Sequence, residues 1–588
     1  MNGPSVQAPS ESKRLDSWKE IAAYLNRDVT TVQRWEKREG MPVYRHVHDK
    51  RGSVYAVPEE LNAWREQRRS VVDGQPEAVE TGEHVPSATH VDRAAGGLGL
   101  WWAVAAVVIC AGLAAGYVVW RSHERAVASP EIRSLAVLPL RNLSGDGSQD
   151  YLAEGITEEL IGKLAGIREL KVTSHTSVMR FKDTKISVPE IAKALGVDAV
   201  VEGSVIRDGS RIRVSAQLIR AATDTHLWSE TYDREMRDAL TLESELAQSI
   251  AEKVRVTVTG EEQQRLTAAR AVAPEVYESY LKGRYANDEG GRAGREQSVV
   301  YFNDALAKDP TFAPAYVGLA EAYTELGTVA AGVSPAETRP KVMSAARKAI
   351  DLDPDLAEAH VMLANSLQEQ WQWAAAETEY KRALELQPNN ASAHSWYALW
   401  LSCQGRTDEA VEWARSARAL DPVSVSGASV AWILFQAHRF DEAIREASDA
   451  LAVRPNDTGA LSTLGFALLG KGQAAEAIPV LEKADALSKG GPAIDGILVR
   501  AYARAGRRED ALRLLEQLKK RKEAGYFPAA SFVNAYLGLG DNEQAFVWLE
   551  QAYKEQSNIL QFVKTHPFFD PIRNDPRFVD LERRVGLG

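Results

Sequence analysis

Residues 407–422 read TDEAVEWARSARALDP. Ala410, Ala414 and Ala417 fall on one face of a helix, and Asp421-Pro422 ends it. The same phrase returns along the chain. Alanines recur at 376, 410, 443, 477, 511 and 545, second alanines at 383, 417, 450, 484 and 552, and prolines at 354, 388, 422 and 455. A period this regular means that one small unit is stacked on itself: small residues sit where two helices cross, and proline marks the turn into the next pair.

This is the tetratricopeptide pattern. Six regular units run from Ala357 to Ile559, and two looser ones precede them on ALAKDP and AIDLDP. The array is expected over 275–588, closed by THPFFDPIRNDPRFVDLERRVG, which resembles the final segment of bacterial proteins of this architecture. Stacked hairpins form a superhelix whose concave face comes from the first helix of each unit. Register puts Glu358, Asn365, Gln368, Ser395, Ser402, Trp432 and Phe466 on that face, a set suited to a protein or peptide partner. Gly465 to Gly472, GFALLGKG, approaches the phosphate-loop pattern but lacks its final Ser or Thr, and it keeps step with the repeat.

Upstream, residues 131–259 alternate apolar strands with amphipathic helices. SLAVLPL and LKVTSHTSVMRF read as strands, SQDYLAEGITEELIGKLAG as a helix, and a run of strands surrounds Asp208-Gly209. This order gives an α/β unit. The stretches AVLPLRNLSGDGSQDYLAEGITEELI, GVDAVVEGSV and THLWSETYDR resemble the amino-terminal domain of TolB-like proteins. That resemblance implies a fold and a regulatory or envelope setting, with no reaction. Asp146, Glu154, Glu158 and Glu159 read as solvated positions.

Residues 98–120, LGLWWAVAAVVICAGLAAGYVVW, carry no charge. Their length matches a transmembrane helix with aromatic ends, so the expectation is a single-pass protein of the bacterial inner membrane that contacts lipid through this stretch. Residues 70–97 read as a flexible linker. The head is expected inside, where DNA is. Yet Arg93 stands alone before the span, while Arg121, Arg125, Arg133 and Arg141 follow it, a distribution that favours the opposite orientation.

Residues 13–69 hold two short helices, an alternating pair of strands and a third helix opened by Pro58. This is a winged helix-turn-helix. Thr31, Val32, Arg34 and Trp35 resemble the second-helix pattern of the MerR and excisionase type. Thirteen Lys or Arg stand against nine Asp or Glu here, in a chain of net charge −11. Thr30, Gln33, Arg34 and Lys37 are expected to face DNA, and Arg45, Lys50 and Arg51 to meet phosphate.

The two cysteines, Cys110 and Cys403, form no disulfide framework. No catalytic triad, metal cluster or complete phosphate loop emerges, so no catalysis, metal or cofactor is expected. The expected architecture is multidomain: winged head, single transmembrane helix, α/β domain and all-α superhelix. The function expected is a membrane-tethered DNA-binding transcriptional regulator with a partner-binding array, acting as a possible homodimer. The alternative is a membrane scaffold without DNA binding.

Overall fold

In a computed structural model the described residues are 15–64, apart from 16, 26, 28, 40, 46–53, 59 and 63, and 132–588, apart from 269–270, 328–334, 423–426, 489–491 and 524–526. The chain divides into two compact units, 1–117 and 118–588.

In the first unit, α1 (Trp18–Leu25) and α2 (Val29–Glu39) are followed by the two-stranded hairpin β1 (Tyr44–Arg45) and β2 (Val54–Tyr55). Pro58, Glu60–Asn62 and Trp64 are helical. Ile21, Leu25, Val32, Met41, Val54 and Leu61 form a small core of their own. Leu15 pairs with Ala56, closing the chain start onto the hairpin.

The second unit begins with a six-stranded sheet. Its order is β5 (Lys171–Val172), β3 (Ser134–Val137), β6 (Ala199–Asp208), β7 (Arg211–Arg220) and β8 (Thr225–Glu235), while β4 (Arg141–Asn142) also pairs with β6. The crossover strands are parallel and β6–β7–β8 is an antiparallel meander. Gly209 turns between β6 and β7 at φ 58°, a conformation that glycine adopts without steric cost. Two long helices, α3 (Asp150–Ala165) and α4 (Ala239–Val254), bury Leu152, Ile156, Leu160, Leu242, Leu246 and Ile250 beneath the sheet. The stretch LKVTSHTSVMRF departs from the strand expected of it: only Lys171–Val172 is extended. Ser174 then caps a short helix, His175–Met179, its hydroxyl accepting from the Ser177 N–H at 3.3 Å, so β pairing stops there.

From Pro274 to Lys554 the chain is a stack of antiparallel helix pairs. The recurrent alanines are their crossing points: Ala376, Ala410, Ala443, Ala477, Ala511 and Ala545 have no exposed surface. A Cβ at Gly283 or Gly318 would enter the ring of Phe302, which is why glycine stands there.

The expected single-pass inner-membrane localisation is corrected here. Among the described residues no helix is long and apolar enough to cross a membrane. The two longest, Gly291–Lys308 and Pro335–Leu352, carry Arg292, Arg295, Glu296 and Asp304, and Glu337, Lys341, Arg347 and Lys348. Their buried apolar residues, Phe302 and Ala305 in the first and Val342, Ala345, Ala346 and Ala349 in the second, lie on one side of each helix. Residues 98–120, on which the expectation rested, lie outside the described residues, as does the linker 70–97.

Candidate functional site

The head positions α2 by its apolar side. Val32 is fully buried, and Trp35 lies against Trp64 with ring centroids 5.7 Å apart. At about 100° per residue, positions 30, 33, 34 and 37 share an arc of roughly 100° on the opposite side. Thr30, Gln33, Arg34 and Lys37 therefore occupy one face of the helix, and Gln33 is partly exposed. Arg45 is on β1; Lys50 and Arg51 lie outside the described residues. The hairpin is fastened to the helices beside it. Tyr44 stacks on Tyr55 at 5.3 Å and donates to Glu60 at 2.9 Å, while Asn62 donates to the Tyr24 hydroxyl at 2.9 Å.

The concave face of the array holds the chain's own carboxyl-terminal segment. After the last repeat helix, Asn542–Lys554, the chain turns back through the superhelix. Arg339 donates to the Gln556 side chain at 3.1 Å, and Gln368 donates to Gln561 at 2.8 Å. Trp432 packs on Phe562 and His566, with centroids 5.5 and 5.7 Å away. Phe568 lies against Phe435 and Phe466, with the Arg500 guanidinium 3.9 Å from its ring centroid. Trp373 donates its indole N–H to the Val585 carbonyl at 2.8 Å. Leu560, Val563, Phe569, Phe578 and Leu581 are buried along the way.

The residues expected on the concave face are thereby placed. Asn365 and Gln368 are buried, and both accept from the Tyr380 hydroxyl, at 2.6 and 2.8 Å. Ser402 is buried; Trp432 and Phe466 touch each other and the returning segment. Glu358 accepts from Gln387 at 2.9 Å, and Ser395 is half-buried. The sequence indicated that THPFFDPIRNDPRF closes the array. That it does so from inside the groove is set by pairings across more than 190 residues, which no local pattern records.

Around Tyr277, Tyr280 and Arg284, on the first repeat helix (Pro274–Glu289), lies a buried polar seam that sequence reading missed. Arg284 bridges Glu158 of α3 and Glu321 of the third repeat helix (Ala313–Leu326). Tyr280 donates to Glu159 at 2.5 Å, and Tyr277 donates to Glu243 of α4. Burial, helped by the nearby Glu159 charge, pushes Glu243 up to about 8; burial raises Glu321 to about 7. Glu154 pairs with Lys182 at 2.5 Å. Of the carboxylates read as solvated, Glu154, Glu158 and Glu159 are partnered at or beside this junction; Asp146 remains exposed and caps Ser148. Seam residues are hard to find from sequence because their partners lie in another layer.

A cleft of about 510 Å³ opens beside Tyr151, Arg207, Glu278 and Lys282. Its two cations are both tied to Glu278, at 3.2 and 2.8 Å, which offsets the positive charge an anion would seek. His175, Glu158 and Asp288 could each offer an atom to a metal, but Glu158 is engaged by Arg284 on both oxygens. The phosphate-loop lookalike is repeat structure. Gly465 packs on Leu481, Gly470 on Phe440, and Lys471 pairs with Asp441 at 2.6 Å.

Comparison with known proteins finds matches in two parts of the second unit. Residues 131–252 match the HilA/YgeH-like transcriptional regulator, second domain. This regulator-type match falls on the residues that resemble TolB-like proteins in sequence. Residues 361–425, 431–492 and 468–524 match tetratricopeptide repeats. Both matched families are of non-catalytic type. A protein of Rhizobium meliloti (strain 1021) named "Putative adenylate cyclase 3" is 32% identical over 260 residues, covering 42% of this chain and 44% of that protein. The chain thus spans less than half the length of this relative. Among solved structures, similarity extends to a thermophilic TPR protein of Thermus thermophilus (18% identity, 33% of this chain, 99% of that chain, TM-score 0.29). It extends also to the human IFIT1 dimer with m7Gppp-AAAA (15% identity, 58% of this chain, 76% of that chain, TM-score 0.38). The chain thus carries a match to a regulator's domain followed by tetratricopeptide repeats.

Proposed function

We propose that the chain is a DNA-binding transcriptional regulator whose amino-terminal head reads DNA and whose repeat array receives a protein or peptide partner. The observation that carries the reading is the regulator-type domain at 131–252 in the same chain as a basic head with its own core. Two helices and a hairpin wing are the parts that a major-groove reader uses. Thr30, Gln33, Arg34 and Lys37 are the base-facing set; Arg45, Lys50 and Arg51 are the phosphate set. For the array, Glu358, Asn365, Gln368, Ser395, Ser402, Trp432 and Phe466 are the recognising set. A partner there meets the returning segment first, and either displaces it or uses the rim at Glu358 and Ser395. The test is a titration of residues 1–70 against a selected duplex and a scrambled one at two salt concentrations. Salt-dependent binding with preference for the selected duplex is expected. Absence of affinity for both duplexes at low salt, even for an artificially dimerised head, would leave the scaffold reading in its place.

A further inference from the structure

The outer edge of the six-stranded sheet has no strand beside it among the described residues, and of its outward carbonyls that of Asp233 accepts from the Arg234 guanidinium at 3.1 Å. β8 is its last strand, and among the described residues no strand pairs with its far side. Thr225, His226, Leu227, Ser229, Glu230 and Thr231 are exposed. The direction of its backbone groups follows from one bond. The Met236 N–H donates to the Ser210 carbonyl at 2.7 Å, next to the register pair Arg211–Glu235. Antiparallel alternation then turns the amides of Trp228, Glu230, Tyr232 and Arg234 toward β7. Those of Ser229, Thr231 and Asp233 point outward. The other side of β7 obeys the same count: the Ala221 N–H donates to the Asp198 carbonyl at 2.9 Å. Monomeric proteins usually blunt such an edge with Pro, Lys, a bulge or a covering element. β8 has neither Pro nor Lys, and the register shift at Leu218/Ile219 lies beyond the run from Ser229 to Asp233.

We propose that β8 is the interface to a second copy of this chain, paired antiparallel about a two-fold axis through Thr231 so that two sheets become one. Outward amides must meet outward amides, so odd-numbered residues pair with odd. A centre at Glu230 sets the two Glu230 carboxylates face to face and His226 against Arg234. A centre at Ser229 runs the partner strand into the irregular end at Leu227. A centre at Thr231 sets Ser229 opposite Asp233, Glu230 opposite Tyr232 and Trp228 opposite Arg234. These are hydroxyl to carboxylate, carboxylate to phenol, and guanidinium to indole, with no like charges opposed; within its own chain Asp233 is also held by Arg211 and Arg213, and Glu230 accepts from Trp228 and Tyr232. Arg234 is already oriented by Glu245 at 2.7 Å and keeps 40% of its side chain exposed. An isologous contact of this kind closes on itself and yields a dimer rather than a fibre. The pairing is independent of the DNA reading.

The test is sedimentation equilibrium of the full chain with two variants. Wild type is expected at the mass of two chains. Thr231→Pro removes an outward N–H, a change tolerated on an edge; it is expected at the mass of one chain with unchanged circular dichroism and melting. Thr231→Cys in a Cys110→Ser background gives the independent check. An antiparallel hydrogen-bonded pair has Cα atoms about 5.5 Å apart, inside the roughly 4.4–6.8 Å that a disulfide spans. Copper-phenanthroline is expected to convert this variant to a covalent dimer on a non-reducing gel. Cys403 does not compete, being fully buried with its thiol pushed up by that burial. A single-chain mass for wild type at its highest soluble concentration overturns the proposal. So does a dimer that Thr231→Pro leaves intact, or one that residue 231 cannot cross-link. Should Thr231→Pro misfold, the cross-link alone decides.

Discussion

Arg34 and Lys50 separate two kinds of contact. A guanidinium can take two acceptors of one base, so in the proposed reading Arg34→Ala is expected to cost about 1–3 kcal/mol on the preferred duplex and to flatten preference among duplexes. In the proposed reading Lys50 meets only phosphate. Lys50→Ala is expected to weaken binding to every duplex alike and to lower the salt slope by about one, read from titrations at several salt concentrations. Glu243 makes a prediction of another kind. Its carboxyl is fully buried, one oxygen receives the Tyr277 hydroxyl, and the other has no partner. The fold therefore holds a proton there that the unfolded chain releases above about 4.5. This contribution is present below the unfolded value and is lost as pH rises toward 8. Melting temperature is expected to fall between pH 5 and 8. Glu243→Gln, which keeps an acceptor for Tyr277 without a charge to bury, is expected to raise it by roughly 2–4 °C at pH 8.5 and to leave it unchanged at pH 5.

At the scale of elements, the returning segment is the most instructive. Phe568 is 2% exposed and bears on Phe435, Phe466 and Arg500. His566 beside it is held far below the usual histidine range, to about 3, by burial and by the Arg500 and Arg573 charges, so its imidazole is neutral and Arg500 is the one cation against the Phe568 ring among the described residues. Phe568→Ala is expected to destabilise the array by about 3–5 kcal/mol through the cavity it leaves, seen as a lower denaturation midpoint. The repeat helices themselves were legible in the sequence because Ala376, Ala410 and Ala443 must be small wherever two helices cross, and that need recurs at a fixed interval. The hairpin at Gly209 was legible for a like reason, since its backbone demands one residue type. Helix His175–Met179 was not: TSHTSVMRF reads as a strand until Ser174 is known to cap it. Nor was the occupant of the groove, because Gln368 and Trp432 look the same in sequence whether they face a partner, water or Gln561 and Phe562.

For the whole second unit, the join between the sheet and the array decides how it behaves. Asn389, in a turn between repeat helices, donates through its side-chain amide to the carbonyls of Ile167 and Leu170, each at 2.9 Å. Ser177 donates to Asp421, and the Ser174 N–H meets the Leu420 carbonyl at 3.4 Å. Two successive repeat turns thus hold the loop and short helix that follow α3. Asn389→Ala removes both of these bonds, though the Ile167 carbonyl keeps the Leu170 N–H at 3.1 Å, and is expected to cost about 1–3 kcal/mol. Faster hydrogen exchange confined to residues 167–174, with the repeat helices unchanged, is the measurement that checks it. The sequence announced the repeats and the α/β unit separately. Their attachment depends on single polar side chains that carry no periodic signal.

The returning segment also bears on how the protein is made. Arg339, already paired with Glu369 at 2.9 Å, and Trp373 gain the Gln556 and Val585 contacts only from residues 217 and 212 positions later. A growing chain emerges amino end first, so every repeat must wait, with an open apolar groove, until the codons for that segment have been translated. A product cut short before it by a stalled ribosome or a premature stop would keep the groove unfilled and offer Trp432, Phe435 and Phe466 to chaperones and proteases. The stretch from Gln556 to Val585 is in this sense a completeness check written into the fold: only a chain synthesised through it can hide its own interior.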